Sequence, residues 1–104
     1  MGFLDFIFNY RKKKIKRYLK KDALVLDVSQ EEKFKAEVIP NAINIPLNKL
    51  QINLDRLKEL GKPFIVCCVS NIPSVKATKF LNLNNIDAIN AGNRDLLKSL
   101  VKQE

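Results

Sequence analysis

Histidine and tryptophan are both absent from the 104 residues. Without imidazole the chain has no Ser-His-Asp or Cys-His relay, no His-based zinc site and no histidine switch near neutral pH. Cysteine is scarce as well. Cys67 and Cys68 are neighbours in sequence, so they cannot close a loop-spanning disulfide framework. They read as free thiols of a reducing compartment, and the cytoplasm is the expected location. Their adjacency excludes a Cys-x-x-Cys redox pair, and two neighbouring thiolates without imidazole offer a metal little geometric support. Neither a metal nor a cofactor is expected. Long apolar runs are missing too, since nothing approaches the roughly 20 residues that cross a bilayer. With 3 Gly and 4 Pro, the chain shows none of the bias of fibrous or low-complexity proteins.

What is there suits one globular domain. The composition is 46% hydrophobic and 29% charged, and a chain of 11.9 kDa buries roughly two thirds of its surface around a single core. The formal charge of +8 is spread unevenly. Residues 1–21 hold Arg11, Lys12, Lys13, Lys14, Lys16, Arg17, Lys20 and Lys21 against Asp5 alone, a net of +7, which leaves +1 for everything that follows. The pI near 9.7 therefore describes one end of the chain and not the folded body. The expected division is a basic and apolar leader, residues 1–14, followed by a domain, residues 15–104.

In the leader Phe3, Leu4, Phe6, Ile7 and Phe8 precede the lysines, the reverse of a secretory signal. Phe6 stands where an N-myristoylation motif beginning at Gly2 wants Ser or Thr. Two readings of residues 1–21 remain. In the preferred one, Ile15, Tyr18 and Leu19 lie at helical spacing and cap the core while the lysines form a solvated face. In the other, the aromatic tip dips into an anionic membrane surface and the lysines meet its headgroups. Specific nucleic-acid binding is not expected, because neither a recognition fold nor an aromatic stacking platform backs the basic run.

Further along, residues 23–28 form a short, continuous apolar run that ends around Asp27, the pattern of a strand buried on both faces of a parallel sheet. Ser29 reads as the N-cap of a short helix that Pro40 closes. A brief strand at 42–45 lies between Pro40 and Pro46, and a leucine stripe predicts one helix over 47–60, with Gly61 as its C-cap. Residues 63–68 are a second fully buried strand. Pro73 suits the first position of the next helix, which turns Val75, Ala77, Phe80 and Leu81 inward up to an Asn-rich turn at 82–85. A strand at 86–90 and a helix at 93–102 complete the chain. This alternation predicts an α/β fold: a central, mostly parallel sheet flanked by helices on both faces, with ligands beyond the carboxyl ends of the strands.

Cys68 is the residue that this order singles out. It sits at the carboxyl end of a buried strand, with a loop behind it and a helix N-terminus facing it. Loop N–H groups and the positive end of that helix favour an anion, which would lower the thiol's pKa and hold a negatively charged adduct. Cysteine is also among the most buried residue types, so plain packing is the competing account. Alternation along the strand packs one thiol of the pair and exposes the other, Cys68 or the reverse.

These residues resemble a single-domain rhodanese-like protein from about residue 15 to 100. Residues 24–28, Leu-Val-Leu-Asp-Val, resemble the family's first strand with its Asp. Residues 38–46, Val-Ile-Pro-Asn-Ala-Ile-Asn-Ile-Pro, resemble its His-Ile-Pro-Gly-Ala-Ile-Asn-Ile-Pro stretch, and residues 68–74 fall on its Cys-x-x-Gly-x-Arg-Ser loop. The resemblance implies a sulfurtransferase or persulfide carrier. In it Cys68 is catalytic, accepting sulfane sulfur from a donor such as thiosulfate and passing it to a thiol acceptor or partner protein. Val69, Ser70, Asn71, Ile72, Pro73 and Ser74 would form the anion-binding loop, with Asp27 and Lys76 in support.

The sequence departs from the family's pattern at several of these positions. The loop glycine is Asn71, its arginine is Pro73, and the arginine often found after the cysteine is Val69. Ser29 replaces the arginine usual after the first-strand Asp-Val pair, and Glu37 and Val38 replace the Gly and His before Ile39. Pro73 also removes one N–H from the cradle. A lost charged hydrogen bond costs on the order of 1.5 to 3 kcal/mol, roughly tenfold or more in rate, so weak thiosulfate turnover is expected. A rhodanese-like binding or regulatory module that has lost catalysis is the alternative. Cysteine-dependent phosphatases, similar in topology, need an Arg where this chain has Ser74, which argues against that activity.

Overall fold

The structure, a computed structural model, describes residues 2–36 and 39–102. Val38, the first residue of the 38–46 stretch, and Glu37 before it lie outside the described residues, as do the side chains of Phe8, Asn71 and Lys102. Helix and strand alternate: α1 (Phe3–Lys20), β1 (Leu24–Asp27), α2 (Glu31–Ala36), β2 (Ile43–Asn44), α3 (Leu54–Glu59), β3 (Phe64–Cys68), α4 (Asn71–Leu83), β4 (Ala88–Asn93) and α5 (Arg94–Lys102). The four strands form one parallel sheet in the order β2-β1-β3-β4. After β2 has paired with one edge of β1, the chain crosses over and lays β3 on the other edge. Strand order therefore reverses between β1 and β3, where an open parallel sheet has its binding crevice.

The sheet divides two apolar layers. Phe64, Val66 and Cys68 of β3 point into one with Leu26, Leu57 of α3, and Ala77 and Leu81 of α4. Ile65 and Cys67 point into the other with Val25, Ile15 and Tyr18 of α1, and Leu97 and Leu100 of α5. Helices thus cover both faces, and β3, buried along its whole length, is continuous in apolar character for that reason. Each such large side chain contributes about 1.5–3 kcal/mol by burial. The two layers hold the sheet, and the sheet holds the ends of β1 and β3 side by side.

Several elements differ from the sequence expectation, each for a local reason. Ser29 is not the cap of α2. The first intrahelical bond runs from the Phe34 N–H to the Gln30 carbonyl, and the Ser29 hydroxyl is engaged elsewhere. The helix expected over 47–60 is broken into 3-10 turns at Leu47–Lys49 and Gln51–Asn53, leaving only α3 as α-helix. Asn53 causes part of this, because its Nδ2 donates to the Lys49 carbonyl at 2.8 Å while its own N–H turns to Leu50 at 3.1 Å. Gly61 ends the segment as expected, at φ +63.

Helix α4 starts at Asn71, so Pro73 is its third residue rather than its first. A proline is tolerated there because no N–H of the first turn has an intrahelical partner. Ser74, Ala77 and Leu81, at spacings of three and four, form the buried face of α4, so Val75, expected inward, lies 40% exposed and Ser74 fully inside. Strand β4 begins at Ala88 and runs three residues beyond Asn90. A bulge at Ala91 of β4, opposite the Val66–Cys67 step of β3, shifts the register so that Gly92 faces Cys67 and Asn93 faces Cys68.

Candidate active site

A cleft of about 380 Å³ opens at the carboxyl ends of β1 and β3, at the point where the strand order reverses. Val28 and Ser29 form its β1 wall, Gln30 and Lys33 come from α2, Leu47 and Asn48 from the turn after β2, and Cys68, Val69, Ser70 and Pro73 from the β3–α4 connection. Cys68 belongs to the cleft's lining and to the apolar layer beneath it, and it is 1% exposed. The expectation that one thiol of the pair is exposed is corrected here, since Cys67 is fully buried too. Alternation puts the two on opposite faces, but helices cover both faces, so neither face is open.

The loop after Cys68 is tied down from two sides. The Val69 N–H donates to the Ser29 hydroxyl at 2.9 Å, and its carbonyl accepts from Asn93 Nδ2 at 3.1 Å. Ser29 is held in turn: its N–H donates to Asp27 Oδ1 at 2.9 Å, and its carbonyl accepts from Asn44 Nδ2 at 3.0 Å. Asp27 is 1% exposed, a burial that requires a counter-charge. Arg94 supplies it, with Nη1 3.2 Å from Asp27 Oδ2 and Nη2 donating to the Lys33 carbonyl at 2.8 Å. One guanidinium therefore fixes the tip of β1, the α2 backbone behind Lys33 and, through Asp27 and Ser29, the peptide next to Cys68.

Sequence expectation and structure meet only in part. Cys68, Val69, Ser70 and Pro73 line the cleft; Ile72 is 67% exposed, Ser74 is buried, and Lys76 lies on the exposed side of α4, none of the three in the cleft wall. The Asn71 side chain lies outside the described residues. Asp27 faces the layer of Cys67 and acts on the cleft through Ser29. The residues missed include Ser29, read from sequence as a helix cap, together with Lys33, Arg94 and Asn93. The Asp27 charge gives a signal for Arg94, because a buried carboxylate demands a cation, but nothing local in sequence says which of 19 basic residues answers it.

Electrostatics bears on Cys67, the thiol beneath the sheet's other face. Burial first, then the Asp27 carboxylate and the neighbouring Cys68, push the Cys67 thiol far up, and Arg94 offsets only part of this. Cys67 is thereby kept neutral and inert. Around the cleft, Val69 has its N–H engaged by Ser29 and Pro73 has none, while Ser70 leads into α4 without a side-chain cap. Among the described residues Lys33 is the charged one in the cleft wall. Among the described residues no group of His, Cys, Asp and Glu has the spacing of a metal site.

A thiol in the crevice of a single parallel sheet, with a helix N-terminus beside it, defines a small class of cysteine-bearing α/β domains. The rhodanese-like domain family matches residues 11–97, and the chain belongs to that family. A tRNA sulfurtransferase from Thermoplasma acidophilum is 29% identical over 90 residues. That match covers 86% of this chain but spans only 18% of the relative's length. Among solved structures, a rhodanese-related protein from Thermoplasma volcanium superposes with a TM-score of 0.68 at 25% identity, over 88% of each chain. A rhodanese-like domain protein from Staphylococcus aureus gives 0.67 at 27% identity, over 80% of this chain and 83% of that one.

Proposed function

We propose that the chain is a sulfurtransferase-type sulfur carrier that works through Cys68. The observation that carries this reading is the place of that thiol in the lining of the switch-point cleft, in a family whose relatives include a protein named for sulfur transfer to tRNA. In the reaction, the Cys68 thiolate attacks the sulfane sulfur of a donor such as thiosulfate. The donor's S–S bond breaks and sulfite leaves with the bonding electron pair. A thiol acceptor, as its thiolate, then attacks the outer sulfur of the Cys68 persulfide, and Cys68 departs as the thiolate it was before. No outside oxidant or reductant is needed. The N–H groups at the start of α4 and the Lys33 ammonium stabilise the anions on this path, whereas the Val69 N–H is engaged and Pro73 brings none, which supports weak turnover of thiosulfate itself. Free thiols suit a reducing compartment, and we place the protein in the cytoplasm on that ground.

One observation favours a second reading, a rhodanese-like binding module without catalysis: Cys68 is 1% exposed beside a loop with no charged side chain of its own. Intact-mass measurement separates the two. After incubation with thiosulfate or an organic persulfide, the native protein is expected to gain one sulfur atom and the Cys68→Ser variant none. Failure of every donor to add sulfur to the native protein leaves the binding module.

A further inference from the structure

We propose that the first half of α1 docks this domain on an anionic lipid surface, its aromatic tip entering the acyl boundary and its basic turns meeting the lipid phosphates. Helix α1 has two separate tasks along its length. Its second half is pinned to the sheet by Ile15, fully buried, and Tyr18, 9% exposed. Its first half leaves Phe3, Leu4, Phe6 and Tyr10 exposed at 76%, 80%, 70% and 62%. Phe3, Phe6 and Tyr10 follow one another at spacings of three and four, so they share one stripe of the helix. A patch of this kind on a folded domain marks an interaction surface rather than a core.

The continuation of that stripe indicates what covers it. Lys13, Lys14 and Arg17 follow at the same spacing, within a segment where eight basic side chains face Asp5 alone. Apolar and cationic character are therefore separated along the helix axis and not only around it. Phe3 to Tyr10 spans about 10 Å at 1.5 Å per residue, so a helix that enters tip first, rather than lying flat, carries its apolar end through a boundary roughly 5–10 Å deep. The next two turns then lie at phosphate level, where each Lys or Arg adds attraction to anionic lipid. Arg11 and Lys14 also border a cleft of about 300 Å³ with Thr78 and Asn90, a recess open to a headgroup on that side. A nucleic-acid partner would use the cations but leave Leu4 and the clustered tip unexplained, since stacking platforms spread their aromatics along a groove.

Flotation of the full chain with vesicles tests this, using phosphatidylcholine alone against phosphatidylcholine with about a third phosphatidylglycerol. The native chain is expected to float with the anionic vesicles and to lose most of that recovery between 0.1 and 0.5 M salt, as screening demands. The double variant Phe3→Ser, Phe6→Ser is expected to lose binding about tenfold with an unchanged melting temperature, because both side chains are exposed. Lys13→Glu with Arg17→Glu is expected to abolish the preference for anionic vesicles. Equal recovery of native chain and Phe3→Ser, Phe6→Ser overturns the proposal. So does an absence of flotation, whether the native chain binds single-stranded RNA instead or self-associates in a way that Phe3→Ser, Phe6→Ser disperses.

Discussion

Arg94 and Asp27 stand 67 positions apart, and their pairing is the strongest single commitment in the cleft's architecture. Replacing Arg94 by Ala leaves a carboxylate that is 1% exposed without its counter-charge, and an uncompensated buried charge of this kind costs about 3–5 kcal/mol. Urea denaturation of Arg94→Ala is expected to show that loss with an unchanged slope. In an Asp27→Asn background the same substitution is expected to cost markedly less, because the carboxamide oxygen still accepts the Ser29 N–H and no charge is stranded. Equal costs in both backgrounds would mean that charge is not what Arg94 supplies. Lys33 makes a different prediction. Lys33 lines the cleft and is exposed, so its charge acts there through screening solvent. Lys33→Met is expected to slow alkylation of Cys68 by anionic iodoacetate about two- to threefold while leaving neutral iodoacetamide unaffected. An unchanged ratio of the two rates removes Lys33 from anion recognition and leaves the role of Cys68 standing.

At the scale of elements, the turns carry their own costs. Gly61 holds φ +63, and a Cβ added there would meet nothing within 4 Å, so space is no obstacle to a side chain. Gly61→Ala is therefore expected to cost about 1 kcal/mol from the left-handed backbone alone, read as a shift in the urea midpoint. A neutral result would show that the turn relaxes. The legibility of these elements in the sequence follows from how local their causes are. Strands β1 and β3 are plain, because burial on both faces writes a continuous apolar run. The leucine stripe of 47–60 misleads, because spacings of three and four suit a 3-10 turn as well as an α-helix, and the Asn53 side chain tips the choice. Pro73 misleads by two residues, since a proline is tolerated throughout the first turn. Asp27 and Cys68 are visible as strand-end residues, whereas the Arg94 clamp and the Asn93 contact are not. Those depend on the bulge at Ala91 of β4, whose register shift sets Asn93 beside the loop from the far end of the chain.

Across the whole molecule, α1 joins the sheet through few residues, and they divide the helix sharply. Tyr18 is the chief of them: its hydroxyl donates to Asp87 before β4, and the Lys21 ammonium lies 4.7 Å over its ring. Burial, then the hydrogen bond and charge of Asp87, push the Tyr18 phenol up to about 12. A phenol raised in the folded state favours folding fully below its ordinary value of 10.0, and that contribution drains away as pH climbs towards about 12. Tyr18→Phe is expected to cost about 1 kcal/mol near neutral pH and to flatten the loss of stability between those two values. An alkaline profile identical to that of the native chain would place the hydroxyl outside the folding balance. Ile15 extends the same logic, because it is fully buried among the residues of β3, β4 and α5, and Ile15→Ala is expected to cost about 2–4 kcal/mol. Deletion of residues 2–10 removes mainly exposed surface and is expected to leave the urea midpoint nearly unchanged. If that deletion destabilises the domain as much as Ile15→Ala does, the folded unit does not begin near residue 15, and the exposed aromatic tip belongs to the core's support and not to a surface free for lipid.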